Sequence, residues 1–217
     1  MSKPFTLDLS SLPSTFQSTW RANPDPTALP FPRSKPPFAL TPIDWHQLSL
    51  SDSDFTPHSW PNLQHLISNH QLEELKRWPS QLKAYLAWTA HVKEKYESVL
   101  RYLLEQRLFW TPLATQDGEL RFEVQSETAF AHEEDYKILR NDWGYAFEPG
   151  VRHIVVWLKQ RLPVDELGAL SEEGRGERGE KVLWFKNTTT LQSVRSLEHV
   201  HVLVRGVEED LLERWMK

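Results

Sequence analysis

The chain contains no cysteine at all. Disulfides and thiolate metal sites are thereby excluded, and packing and hydrogen bonds must hold the fold. A long apolar stretch is missing too: no run approaches the roughly 20 residues that a membrane-spanning helix requires. The opening Met1-Ser2-Lys3-Pro4-Phe5 has no continuous apolar segment, so no secretory leader is expected. Nor is there an excess of positive charge. A net charge of −5 and a pI near 6.0 argue against a nonspecific nucleic-acid binder with a broad basic face. These absences predict an intracellular protein, cytoplasmic with the nucleus also open, that uses neither a membrane nor nucleic acid. No motif calls for a cofactor or a resident metal.

What is present fits a soluble globular chain. Its 217 residues, 39% of them hydrophobic and 25% charged, allow one sizeable core with an attached arm. Ten tryptophans point to dense packing before ligand stacking. Eleven of the fifteen prolines fall within residues 1–61. Proline lacks a backbone donor and disfavours helix in the residue before it. Residues 1–60 therefore read as an extended Pro-rich arm, and its aromatics, among them Phe5, Phe16, Trp20, Phe31, Phe38 and Trp45, predict that it wraps over the body. Residues 61–217 read as a single α+β domain.

Within that domain, Leu63, Leu66, Ile67 and His70 recur at helical spacing, as do Leu82, Tyr85, Leu86, Thr89, Val92, Tyr96, Val99, Leu103 and Leu108. Helices are predicted over about 62–77 and 80–108, separated at Pro79. Strand signals follow. Leu120, Phe122 and Val124 alternate with polar residues after the turn-like Gln116-Asp117-Gly118. Further strands are predicted at 136–140, 152–159, 182–185 and 198–205, with a short helix over about 207–215. Residues 171–181, with Gly174, Gly176 and Gly179 among charges, read as a solvated loop. No internal repeat is visible. The fold class is α+β: an extended arm and a helical pair packed on a mostly antiparallel sheet.

The chemistry concentrates at strand ends. In Glu198-His199-Val200-His201-Val202-Leu203-Val204-Arg205, alternation puts His199, His201 and Arg205 on one face, with the two histidine Cα atoms roughly 6.6 Å apart. Such a pair can bind metal, handle phosphate, or serve as hydrogen-bonded core groups, and the residues leave that choice open. Asn141-Asp142-Trp143 follows one strand and Gly150-Val151-Arg152-His153 enters the next. Lys186-Asn187, Thr188, Thr189, Thr190 and Ser193 lead into the last. Each has a structural reading of its own, the Asn-Asp pair as a turn and His153 as a core histidine. A metal site from His153, His199 and His201 rests on spacing alone.

Several blocks resemble the fungal family of N-acetylglucosamine-induced proteins, defined by a domain of unknown function. They are Leu72-Glu73-Glu74-Leu75-Lys76-Arg77, Tyr85-Leu86-Ala87-Trp88, Lys95 to Leu100, Ile138 to Tyr145, His153 to Trp157, Trp184 to Asn187 and Leu191 to Val202. The likeness spans roughly residues 62–206. The chain departs from it at Gly144, where proline is expected, and in the Gly-rich stretch before Val182.

The order of the same elements is similar to the histidine-triad superfamily, whose members include nucleotide hydrolases and nucleotidylyltransferases. That similarity implies a histidine-triad-like fold, with His201 as a nucleophile towards a nucleotide phosphate and His199 as its orienting partner. It also implies phosphate contacts from Lys186, Asn187 and Ser193. Asn141, Asp142, Trp143, His153 and Arg205 complete the candidate ligand-binding set, Arg205 through a bidentate phosphate contact. Leu203 stands where the superfamily carries a phosphate-contacting histidine or glutamine, and the helices at 62–108 are foreign to its minimal unit. The expected function is a binding module for a phosphorylated small molecule, a nucleotide, nucleotide sugar or phosphosugar. The alternatives are a histidine-triad-like hydrolase or transferase and a protein-interaction scaffold.

Overall fold

The structure, a computed structural model, describes residues 34, 36, 40–162, 180–188 and 191–216. Most of the predicted arm and most of the 171–181 loop lie outside the described residues. The chain divides into two compact units. One takes the residues up to Pro57 with Arg77–Val99; the other takes His58–Lys76 with everything from Leu100.

In the first unit, helix α1 spans Pro42–Leu48, where the proline pattern predicted extended chain. Its start is written locally. The Thr41 hydroxyl accepts from Asp44 N (3.1 Å), and the Asp44 carboxylate accepts from Thr41 N (2.8 Å). Pro42 sits at the first helical position, where its missing N–H costs nothing. A longer helix, Pro79–Tyr96, buries Leu82, Tyr85, Leu86, Thr89 and Val92, the apolar stripe read from the sequence. We number it α3. The Asp52 carboxylate accepts from Ser80 N (2.9 Å) and Oγ (2.6 Å), and so caps its first turn.

The second unit begins with α2, Trp60–Ser68. The predicted 62–77 helix stops nine residues short of Arg77 because His70 adopts φ 56°. Gln71 N donates to Leu66 O (2.9 Å) and His70 N to Ile67 O (3.3 Å), the bonding of a Schellman stop without its usual glycine. The predicted 80–108 helix is likewise broken. Glu97 has φ 67°, α4 restarts at Val99–Leu103, and a π turn covers Leu104–Leu108.

The sheet comprises β1 (Tyr136–Arg140), β2 (Val151–Leu158), β3 (Val182–Phe185) and β4 (Glu198–Arg205). Their order is β1-β2-β4-β3 and all neighbours are antiparallel. Helix α5 (Glu209–Trp215) follows. The α+β class and the antiparallel sheet are as expected, and four strands fall within a residue of their predicted bounds. The strand predicted at 120–125 does not form. Its end is taken instead by the buried Asp135 carboxylate, which accepts from Gln125 N (2.8 and 2.9 Å) and Ser126 N (2.9 Å).

Cross-strand pairing sorts the side chains. One sheet face carries Ile154, Val156, Val200, Val202 and Val204, with Leu158, Leu162 and Leu212 packed in. On the other, Trp60, Leu63, Leu66 and Ile67 of α2 pack against Val151, Leu183, Phe185 and Leu203. The histidines share this second face, beside that apolar cluster.

A buried imidazole track as the candidate functional site

The odd-numbered residues of β4 do share a face, since His201 pairs with Val155 and Phe185, and His199 with Trp157. His153 lies diagonally from His201 on β2, and the two rings meet with Nε2 of His153 2.9 Å from Nδ1 of His201. The other nitrogen of His201, Nε2, is 3.1 Å from Asn187 Nδ2, which also reaches Tyr145 Oη at 3.3 Å. At the far end, Asn141 Nδ2 lies 3.3 Å from Nδ1 and 3.2 Å from Nε2 of His153. Asn141, His153, His201, Asn187 and Tyr145 thus form one polar track. His153, His201 and Asn187 are buried, whereas Asn141 and Tyr145 are half-buried.

The loop after β1 makes the cover. Asn141 N donates to His153 O (2.9 Å), and Asn141 Oδ1 accepts from Trp143 N (2.9 Å), closing a side-chain turn at the strand end. Gly144 then passes so close that a Cβ there would lie 3.4 Å from His153 Nδ1. Beyond it the Tyr145 ring stacks on His153 at 5.6 Å, and Phe147 stands 5.6 Å from the same ring. The loop is pinned from behind. Ala146 N donates to Lys76 O (2.8 Å), His58 N to Ala146 O (2.9 Å) and Glu148 N to His58 O (3.0 Å). The His58 ring ties these segments, with Nε2 accepting from Lys76 N (3.0 Å) and Nδ1 facing Asn62 Oδ1 (2.7 Å).

With the Asn187 amide oriented so that Nδ2 faces His201, His201 Nε2 is the acceptor and its Nδ1–H points at His153 Nε2; the turned amide goes with the opposite tautomers. Both nitrogens of the expected nucleophile are therefore engaged. Asn187 Oδ1, one of five buried side-chain atoms without a hydrogen-bond partner among the described residues, carries a cost of roughly 1–3 kcal/mol.

His199 stands apart from the track. Its Nδ1 donates to Leu197 O (2.9 Å) and its ring lies 4.7 Å from that of Trp157. Burial pushes its pKa below the ordinary histidine value, against the opposing pull of the Leu197 carbonyl and Glu198.

The remaining candidates have other contacts. Lys186 Nζ is 2.6 Å from Oε1 of the buried Glu198, whose Oε2 is 3.3 Å from Arg161 Nη1. Exposed Asp142 pairs with Arg107, and Trp143 is half-buried. Ser193 is exposed. The Arg205 guanidinium lies 4.9 Å over the Trp60 ring; its Cα is about 13 Å along the strand from His201. Tyr145 and Glu198 were not among the candidates. Tyr145 ends the Ile138-to-Tyr145 block, and a carboxylate opening an apolar strand next to His199 is the visible sign of Glu198. Among the described residues no group of three or more His, Asp or Glu is arranged to hold a metal ion. Among them, too, no helix is long and apolar enough to cross a membrane.

Residues 59–205 match the family described as "Protein of unknown function (DUF3605)". The chain belongs to this family. It is 31% identical over 182 residues to N-acetylglucosamine-induced protein 1 of Candida albicans, with 72% of each chain covered. An uncharacterized protein of Saccharomyces cerevisiae is 29% identical over 161 residues, 67% of this chain and 77% of its own. The fungal resemblance read from the sequence blocks therefore holds. Among solved structures, the crystal structure of HTC1 is similar at a TM-score of 0.52 and 24% identity, covering 72% of this chain and 91% of that one. At that identity the likeness concerns the fold. The DUF3605 span contains α2, all four strands and every member of the track.

Proposed function

We propose that the protein is a binding module for a phosphorylated small molecule, with the Asn141–His153–His201–Asn187 track as its recognition element and without covalent catalysis. The observation that carries this reading is the unpartnered amide atom of Asn187 at the end of a hydrogen-bonded imidazole pair. If the amide turns over, Oδ1 accepts from Tyr145 O–H and from His201 Nε2, and Nδ2 becomes a donor for a phosphate oxygen. His201 must then carry its proton on Nε2, and His153 must donate from Nε2 to His201 Nδ1. Ligand binding reverses the direction of the whole track, and the tautomer of each ring is set by the bond its other nitrogen makes.

Catalysis is disfavoured by the same geometry. A nucleophilic imidazole needs a lone pair aimed at phosphorus. The Nε2 lone pair of His201 is taken by Asn187, and Leu203 supplies no further phosphate ligand. A nucleotide sugar, a nucleotide and a phosphosugar all offer the group the track would recognise. The name of the Candida relative makes N-acetylglucosamine derivatives the first to try.

The test is calorimetric titration with AMP, UDP-N-acetylglucosamine and N-acetylglucosamine 6-phosphate. At least one should bind, and His201→Asn should weaken it tenfold or more while circular dichroism stays unchanged. A second assay follows hydrolysis of diadenosine polyphosphate. Rapid turnover by the unmodified protein would establish the histidine-triad enzyme instead, and absence of binding by all three probes would leave the track a purely structural network.

A further inference from the structure

Lys137 on β1 pairs with Trp157 on β2, which pairs with His199 on β4, so the three form one row on the imidazole face. The β3 ladder ends at Phe185, opposite His201, and Asn187 just beyond it reaches His201 Nε2 with its side chain at 3.1 Å. From Lys137 to His199 the row is about 10 Å long by strand spacing alone. Lys137 and Trp157 are half-buried. Past the edge strand stands Phe109, its ring centroid 5.0 Å from Lys137 Nζ.

Phe109 is doubly disfavoured where it stands. It ends the π turn at φ 58° and ψ 38°, a conformation in which glycine is the usual residue. It is also 71% exposed, so its ring gains little from packing. An outward-facing aromatic held in a strained backbone points to a role in contact with something else.

Charge narrows what that is. Lys186 and Arg161 share Glu198, Arg107 pairs with Asp142, Arg140 and Arg152 pair with Glu209, and Lys159 faces Asp135 at 3.9 Å. Lys137 has no carboxylate partner among the described residues; its ammonium touches Leu108 O at 3.5 Å and the Phe109 ring. The row therefore sets a cation and the exposed Phe109 ring at its outer end, the half-buried Trp157 ring 4.7 Å from that of His199 in its middle, and the track beside its inner end.

Resting on the phosphate reading above, we infer that Phe109, Lys137 and Trp157 form a stacking subsite for a nucleobase, which makes the ligand a nucleotide rather than a phosphosugar. Every base has a π face for Phe109 and Trp157, whereas a sugar phosphate has nothing to stack. Lys137 lies where it can meet the base edge or the sugar-phosphate.

AMP, ribose 5-phosphate and adenosine separate the two halves of such a ligand, titrated into the full-length protein, Phe109→Gly and Lys137→Met. Glycine suits the backbone at residue 109, so that variant keeps the turn. AMP should bind about tenfold more tightly than ribose 5-phosphate. Phe109→Gly should erase that gap without altering ribose 5-phosphate affinity, and Lys137→Met should narrow it. Equal binding of AMP and ribose 5-phosphate, or a gap that survives Phe109→Gly, would overturn the subsite and leave the phosphate reading intact. Adenosine binding as tightly as AMP, and lost in Phe109→Gly, would keep the subsite and overturn the phosphate reading. Failure of all three probes would overturn the subsite, and failure of UDP-N-acetylglucosamine and N-acetylglucosamine 6-phosphate as well would overturn the phosphate reading.

Discussion

Lys186 is the residue whose role the structure most reshapes. The histidine-triad resemblance implies a phosphate ligand, but its ammonium lies 2.6 Å from a carboxylate that is 1% exposed. Removing Lys186 leaves the buried carboxylate only the exposed Arg161, at 3.3 Å. Lys186→Met should therefore cost about 3 kcal/mol of stability, and Lys186→Met with Glu198→Gln should recover most of it in denaturant unfolding. A neutral Lys186→Met would return the lysine to the ligand. Histidine titration gives a second expectation. Burial lowers the pKa of His58, as it does that of His199, so the folded protein holds these protons less tightly than the unfolded chain. Their contribution is full above about pH 6.5 and is lost as pH falls from there towards the folded values. Thermal midpoints should drop between pH 7 and 5, and His58→Gln should flatten that slope; a midpoint that rises on acidification would refute it. Asn141, His153, Asn187 and His201 were legible because strand alternation fixes the side on which a residue stands. The Lys186–Glu198 pair was not, since it joins the segment after β3 to the start of β4 through their packing. Nor was Tyr145, whose position depends on a loop held by His58 and Lys76.

Among the elements, strands were easier to read than helix ends. Each of the four has β-branched or aromatic residues bounded by turn signals, and the ladder then enforces the boundaries. The segment at 120–125 shows the same alternation, yet the Asp135 carboxylate takes the backbone donors of Gln125 and Ser126 at its end. Helix stops failed for a different reason. Periodicity runs on through His70 because no glycine announces the stop, although the backbone there is left-handed. Exposed His70→Gly should consequently stabilise the second unit by about 1 kcal/mol. A lowered thermal midpoint would show that the imidazole itself contributes. Helix α1 was hidden by its prolines, although Thr41-Pro42-Ile43-Asp44 carries a capping box that the sequence alone displays.

Taken whole, the molecule offers a sheet with one apolar face and one face on which imidazoles, amides and aromatic rings replace part of the core. Polar groups in such a place reduce packing unless every one is bonded, and Asn187 Oδ1 in the track is buried without a partner. On the proposed function, this atom marks where a ligand acts and binding reverses the track. Nitrogen-15 NMR of the histidine side chains reads that directly. Without ligand, the hydrogen-bonded track places the exchangeable proton of both His153 and His201 on Nδ1. Saturation with AMP should move both protons to Nε2 while His199, bonded to Leu197 O, keeps its Nδ1–H. Tautomers that stay unchanged at saturating AMP would contradict ligand-driven reversal of the track.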